Sequence, residues 1–282
     1  MNVLFLLCGI ITVGFVLCIS IYLIISGVPA IAEIGMKDFF FGKVWQPTAK
    51  TVEPSYGILP FILTSVYGTA GAVLIGIPVG LLTAVYLSKV ASPKIASAIR
   101  MAVQLLAGIP SVVYGLVGMI VLVPGIQKMF GLSSGATLFA AIIVLAIMIL
   151  PSIINVSETA LGAVPKDYED ASQALGATPL ETYFRVSVPA ARSGIATAIV
   201  LGVGRAIGEA MAIIMVSGNV ANMPGLFKSV RFMTTAIASE MSYASVGSLH
   251  QQALYSIGLV LFLFIMLINA FLNIVVKKDG KT

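Results

Sequence analysis

The chain has 282 residues, of which 59% are hydrophobic and only 10% charged, where a soluble domain carries roughly 25% charge. Its mean hydropathy of +1.07 excludes a soluble globular enzyme, a disordered chain and a disulfide-rich secreted domain. The net charge of +5 comes from basic residues scattered in ones and twos, so no nucleic-acid partner is expected. In a lipid-embedded chain such an excess reflects loops held on the cytoplasmic side.

Lipid cannot satisfy backbone polar groups, so only helices or closed barrels span it. The apolar runs here are continuous and not alternating, which predicts helices. The first run, Asn2 to Ala32, contains no charge. A signal peptide would carry a basic start and a shorter apolar core, so a retained helix is predicted at about 3–26. Its two cysteines, Cys8 and Cys18, would lie about 15 Å apart on a helix and cannot bridge each other. Residues 28–56 then form an external segment with Lys37, Asp38, Lys43, Trp45, Lys50 and Glu53. Trp45 suits an interfacial anchor there.

Pro54 to Ser88 is the second uncharged stretch, longer than a bilayer needs, with Pro78 a predicted bend. Met101 to Gln127 is the third span, interrupted by Gly108-Ile109-Pro110. The fourth covers about 136–157, the fifth about 194–217 and the sixth about 252–276. His250 falls at the outer end of the sixth, where an exposed loop position is expected. With both termini inside, Lys89, Lys94, Arg100, Lys166, Arg185, Arg192, Lys277, Lys278 and Lys281 are cytoplasmic. Lys37, Lys43, Lys50, Lys128, Lys228 and Arg231 are outside. The bias fits that orientation.

The loop at 158–193 predicts two short helices. One, at about 166–175, places Tyr168, Ala171 and Leu175 on one face and ends at Gly176, a natural residue after a helix C-cap. The next opens with Thr178-Pro179-Leu180-Glu181, a capping box with Pro in the first turn. Leu180 and Phe184 share its apolar face, and Pro189 is expected to stop it. Such a hairpin suits a docking surface, or a loop folded on its own membrane helices.

The fifth span carries two charges, Arg205 and Glu209. A charge at mid-bilayer costs about 2.5–3.5 kcal/mol for Arg on the mild insertion scale, so both should face protein or water. They are four apart, so they are expected to share one face of a helix. Gly202, Gly204 and Gly208 around them allow close approach. Two readings follow. The pair neutralises itself and pins two helices, or Arg205 offers its fork of donors to a passing oxyanion. Ser111 and Tyr114 are candidate neutral donors on the same path, or packing glue. There is no phosphate-loop motif, no Cys/His cluster and no nucleophile elbow. No cofactor, metal or catalytic residue is therefore expected.

Val164 to Thr178 resembles the EAA loop of permeases from binding-protein-dependent ABC importers. Asp170-Ala171-Ser172 stands for the Glu-Ala-Ala triplet, Gly176 keeps the expected offset, and Val186-Ser187-Val188-Pro189 closes the motif. Asp for Glu and Ser for the second Ala are departures. Trp45-Gln46-Pro47, Tyr56 to Ile62, Gly108 to Gly115 and Gly204 to Ala212 are similar to phosphate permeases of the PstC type.

The resemblance implies an all-α polytopic fold of about six transmembrane helices, the type I ABC importer permease fold. It makes residues 1–282 one permease domain in the cell (inner) membrane. It also implies ABC ATPase subunits (PstB-like), a sister permease (PstA-like) and an external phosphate-binding protein (PstS-like), with phosphate as cargo. Asp170, Ala171, Ser172, Gly176 and Pro189 would couple to the ATPase. Arg205, Glu209, Ser111 and Tyr114 would line the path. A permease for another oxyanion, such as molybdate or phosphonate, is the nearest alternative. An ion-coupled secondary carrier is more distant, since no inverted repeat is visible. An intramembrane enzyme lacks a nucleophile-base pair.

Overall fold

Residues 2–49 and 53–279 are described by a computed structural model, with side chains over 4–49 and 53–270. Lys50 and Lys281 lie outside the described residues, as do the side chains of Lys277 and Lys278. Helix α1 (Asn2–Ile34) is longer than its sequence signal and carries Pro29 inside it. It ends where Gly35 adopts φ 92°, a left-handed value that side chains with a Cβ avoid. A short α2 (Met36–Phe41) follows. Strands β1 (Trp45–Gln46) and β2 (Ser55–Tyr56) then pair antiparallel, with Trp45 opposite Tyr56.

Helix α3 (Leu59–Val85) runs into a π turn, Tyr86–Val90. The third span is not continuous. Ile109 and Pro110 are extended, and they separate α4 (Pro93–Gly108) from α5 (Ser111–Val117). Pro110 has no N–H to donate and biases Ile109 away from helix, so the chain breaks there. A second π turn, Gly118–Leu122, joins α5 to α6 (Val123–Phe130). The apolar span is thus Ser111–Phe130, and α4 is a separate helix.

Helix α7 (Leu138–Gly162) is the central element and packs against α3, α4 and α5. Leu145, Met148, Ile149 and Ile153 on it are almost wholly buried. Lipid is as apolar as these side chains, so cohesion here depends on close fit. A Cβ at Gly76 or Gly80 of α3 would lie 2.6 and 2.7 Å from Ile149 and Ile153. Both contacts are closer than real Cβ atoms show, so a larger residue at either glycine would have to displace the isoleucine it meets.

Beyond α7 come α8 (Lys166–Ala174) and α9 (Pro179–Thr182). A third π turn, Tyr183–Ser187, leads to α10 (Val188–Ala190) and α11 (Arg192–Gly208). Then α12 (Met211–Val216), α13 (Met233–Glu240) and α14 (Leu249–Asp279) complete the chain. Helices α11 and α12 pack on α7 as well. Helix α1 lies along α14, joined by Tyr22 and Tyr255 hydroxyls at 3.1 Å and by Ser256 Oγ donating to the Gly27 carbonyl at 2.6 Å.

Among the described residues five helices are long and apolar enough to cross a membrane, and a sixth forms if Pro179–Ala190 and Arg192–Gly208, bent by 73°, count as one span. The fold is all-α apart from the two-residue strands. One end collects residues 30–49, 53–62, 131–139 and 217–250, and the other collects 84–100 and 158–195.

Candidate translocation path and docking surface

The charged span is interrupted. Helix α11 ends at Gly208, and Glu209 is extended at φ −74°, ψ 130°. Its Oε1 accepts the backbone N–H of Ala212 at 3.0 Å, and its carbonyl accepts the Thr234 hydroxyl at 2.7 Å. Ala210, at the N-cap of α12, has no side chain to cap with, so Glu209 supplies the missing acceptor. The expectation that Arg205 and Glu209 share one helix face is thereby corrected. Thr234 holds the break open from another helix, and the i,i+4 spacing is lost. None of the ion pairs among the described residues joins Arg205 to Glu209 or to any other carboxylate.

Arg205 is half-buried near the end of α11. A Cβ on Gly204 or Gly208 would meet nothing within 4 Å, whereas one on Gly202 would press on Ile153 at 3.0 Å. Gly202 therefore serves packing, and Gly204 and Gly208 leave an open face beside the guanidinium. The Tyr114 hydroxyl donates to the Leu106 carbonyl at 2.7 Å, across the Ile109–Pro110 break. That donor is already engaged, so Tyr114 offers an arriving group only its oxygen lone pairs. Ser111 is half-buried in the first turn of α5. Tyr114 also borders an otherwise apolar cavity of about 700 Å³ between α4, α5, α6 and α7, with Ile109, Val113, Phe139 and Ile143. Arg205 and Ser111 do not line it.

At the end that holds the strands lies a charged cluster that local sequence patterns did not reveal. Glu240, almost fully buried, accepts Trp45 Nε1 at 2.9 Å, pairs with His250 Nε2 at 2.8 Å and forms an ion pair with Arg231. Arg231 also donates from Nε and Nη2 to the Asn219 carbonyl at 3.0 and 2.8 Å, and it lies 6.0 Å from the Phe61 ring centroid. Both Trp45 and His250 are buried. The expectations of an interfacial anchor and an exposed loop histidine are corrected, because the Glu240 carboxylate draws both rings inward. A cavity of about 450 Å³ adjoins them, lined by Gln46, Pro47, Arg231 and Tyr243 as well. Tyr243 is exposed, but partial desolvation beside the cluster and then the Glu240 charge hold its hydroxyl above the usual range. The one sequence signal was charge itself, Arg231 and Glu240 beside a long apolar run, with no local spacing to link them.

The opposite end carries the helical hairpin. Gly176 takes φ 90° after α8, and Thr178 and Glu181 form the reciprocal capping box. Thr178 backbone and side-chain bonds hold the Glu181 carboxyl below its ordinary range. Asp170 and Ala171 are exposed, and Ser172 Oγ meets Thr182 Oγ1 at 3.1 Å. Leu175 is 91% exposed, and Tyr168, Leu180 and Phe184 are exposed with it, an apolar surface of the kind that marks an interface. Pro189 does not stop the second helix. It occupies the first turn of α10, where its missing N–H costs nothing, and the chain turns only at Ala191. Among the described residues no cluster of three or more His, Cys, Asp or Glu is placed to hold a metal, and Cys8 and Cys18 are free.

The long apolar helices, the broken charged span and the exposed helical hairpin are those of a polytopic membrane protein. The chain belongs to the family described as binding-protein-dependent transport system inner membrane component, whose model matches residues 76–278. It is 39% identical over 269 residues to the probable ABC transporter permease protein YqgH of Bacillus subtilis, covering 93% of this chain and 86% of that one. It is 33% identical over 286 residues to the phosphate transport system permease protein PstC of Haemophilus influenzae, covering 94% and 88%. Among solved structures, an inward-facing form of the MetNI methionine ABC transporter aligns with TM-score 0.59 and 21% identity, over 79% of this chain and 94% of that one. A bacterial ABC transporter that imports alginate aligns with TM-score 0.59 and 16% identity, over 97% and 98%. The fold is that of type I ABC importer permeases, and the protein is a multi-pass membrane protein.

Proposed function

We propose that this chain is one permease subunit of an ATP-driven phosphate importer, forming the path with a sister permease. The observation that carries the reading is Arg205: a guanidinium with no carboxylate partner among the described residues, beside an open glycine face, in a chain similar to phosphate transport permeases over nearly its whole length. An unpaired charge within a span is costly, so its persistence argues for a task. Arg matches a tetrahedral oxyanion two hydrogen bonds at a time. An external phosphate-binding protein delivers the anion to the end that holds the Glu240 cluster. The anion passes Arg205, with Ser111 and Tyr114 nearby. Two ATPase subunits grip Asp170 to Gly176 and the exposed apolar residues around them, and nucleotide binding and hydrolysis alternate the access. Both termini then lie on the cytoplasmic side. Pro189 belongs to the same hairpin as the start of α10.

Radiolabelled phosphate uptake by the assembled complex tests the reading. Arg205→Gln should reduce uptake at least about tenfold, with normal assembly, because one charge-assisted contact is worth roughly 1.5–3 kcal/mol. Wild-type uptake in that variant overturns the role of Arg205. Uptake of molybdate or a phosphonate in preference to phosphate would keep the path and change the cargo.

A further inference from the structure

Helix α8 is the element on which the proposed motor would push, and its attachment to the rest of the chain is unusual. None of its residues is buried. Asp170, Ala171, Gln173 and Ala174 all face outward, and only Glu169 and Ser172 are half-buried. Helices normally transmit force through interlocked apolar side chains. Here the inward contacts are polar. Glu169 Oε1 lies 2.5 Å from Lys89 Nζ, with side chains 14% and 10% exposed. The same oxygen accepts the Ser187 hydroxyl at 2.7 Å, and Ser187 is fully buried. Ser172 adds its contact to the buried Thr182.

The partners of Glu169 sit on two of the three π turns. Lys89 belongs to Tyr86–Val90, the continuation of α3, and Ser187 to Tyr183–Ser187, which leads into α11. Such turns are a common site of adjustable geometry within helices. The Lys89 turn is gripped from its other side as well. Leu87 is buried with Ala96, Val103 and Ile154. Its carbonyl accepts Arg100 Nη2 at 3.4 Å, and Arg100 Nε in turn bonds Glu158 Oε1 on α7 at 2.6 Å. A displacement of α8 thus has a short route into the packed α3–α7 pair and into the helix that bears Arg205.

We propose that Lys89, Glu169 and Ser187 form the mechanical link between the docking helix α8 and the spans α3 and α11, with Lys89 and Glu169 acting as positioning residues for transport. The inference rests on the reading of the chain as an ATP-driven importer subunit. Its content is the route by which hydrolysis reaches the path.

The experiment uses the complete transporter in proteoliposomes and measures two quantities, phosphate imported per ATP hydrolysed and the distance between spin labels on Asp167 of α8, exposed and outside the proposed ATPase contact, and Leu74 of α3. In Glu169→Gln and Lys89→Met, uptake per ATP should fall at least about fivefold while hydrolysis persists. The label pair, fixed within one narrow distance in the wild type with and without nucleotide, should broaden. The exchange Lys89→Glu with Glu169→Lys should restore both, a rescue that a general packing defect would not give. Unchanged uptake per ATP and an unchanged distance distribution in Glu169→Gln would overturn the link. If the wild-type complex hydrolyses ATP but imports no phosphate, the cargo assignment fails instead. The label distances in the same variants then decide the link by themselves.

Discussion

Arg205 and Glu209 separate into different roles once the break between them is seen. Glu209 accepts the Ala212 N–H, so Glu209→Ala should cost about 0.5–2 kcal/mol, the usual range for a lost helix cap. Glu209→Gln keeps an acceptor oxygen and should cost less. Thermal unfolding of the detergent-solubilised protein reads both. Arg205→Gln should leave that unfolding unchanged, because none of the ion pairs among the described residues uses it. Glu240 is the opposite case. Its carboxylate satisfies Arg231, Trp45 and His250 together. Glu240→Ala strands the Arg231 charge in a poorly hydrated place and should cost roughly 3–5 kcal/mol, whereas Trp45→Phe removes one neutral donor and should cost about 1 kcal/mol. Glu169 differs again. Burial raises its affinity for a proton, but the bonds from Lys89 and Ser187 and the nearby lysine charges outweigh that and hold the carboxyl below its ordinary 4.5. A depressed carboxyl gives stability that is present above the ordinary value and lost as pH falls through the folded one. The Lys89 pair therefore persists at neutral pH and weakens only in acid below about 4.5.

At the scale of elements, local signals in the sequence were reliable where the chain itself closes the geometry. Gly176 and the Thr178–Glu181 capping box were legible because their partners lie within four residues. The continuous apolar runs of α3, α7 and α14 were legible for the same reason. The break at Glu209 was not, since no proline or turn motif marks it and Thr234 sustains it from another helix. Trp45 was misplaced because Glu240 lies 195 positions away. Proline was informative at Pro110, where it breaks the helix, and misleading at Pro189, where it begins one. A comparison of glycines tests the local part of this account. Gly176 has φ 90° and open space where a Cβ would go, and Gly108 has open space without that strain. Gly176→Ala should destabilise the α8 terminus by about 1–2 kcal/mol, the left-handed penalty of an L-residue. Gly108→Ala should not destabilise α4. Amide hydrogen exchange over residues 166–182 and 93–108 distinguishes the two.

The whole molecule is cohesive in two different ways. Around Trp45, Phe61, Met233 and Leu254 an aromatic and aliphatic cluster encloses a buried carboxylate. At the other end a helix without buried residues is held by an ion pair and hydroxyls, over an apolar layer of Val85, Leu161 and Ile195. In the importer proposed above, the first end would receive cargo and the second would receive force. That division requires an orientation, and the orientation can be measured. With Cys8 and Cys18 replaced by serine, a single cysteine at Tyr243, which is 61% exposed, or at Leu175, which is 91% exposed, reports each end separately. In the proposed complex an ATPase would cover Leu175, so the chain is expressed without one. A membrane-impermeant maleimide applied to intact cells should label Tyr243→Cys at once and Leu175→Cys only after permeabilisation. The reverse pattern would place the hairpin outside, away from cytoplasmic ATP, and would remove both the motor contact at Asp170 to Gly176 and the Lys89–Glu169 link as routes for its force.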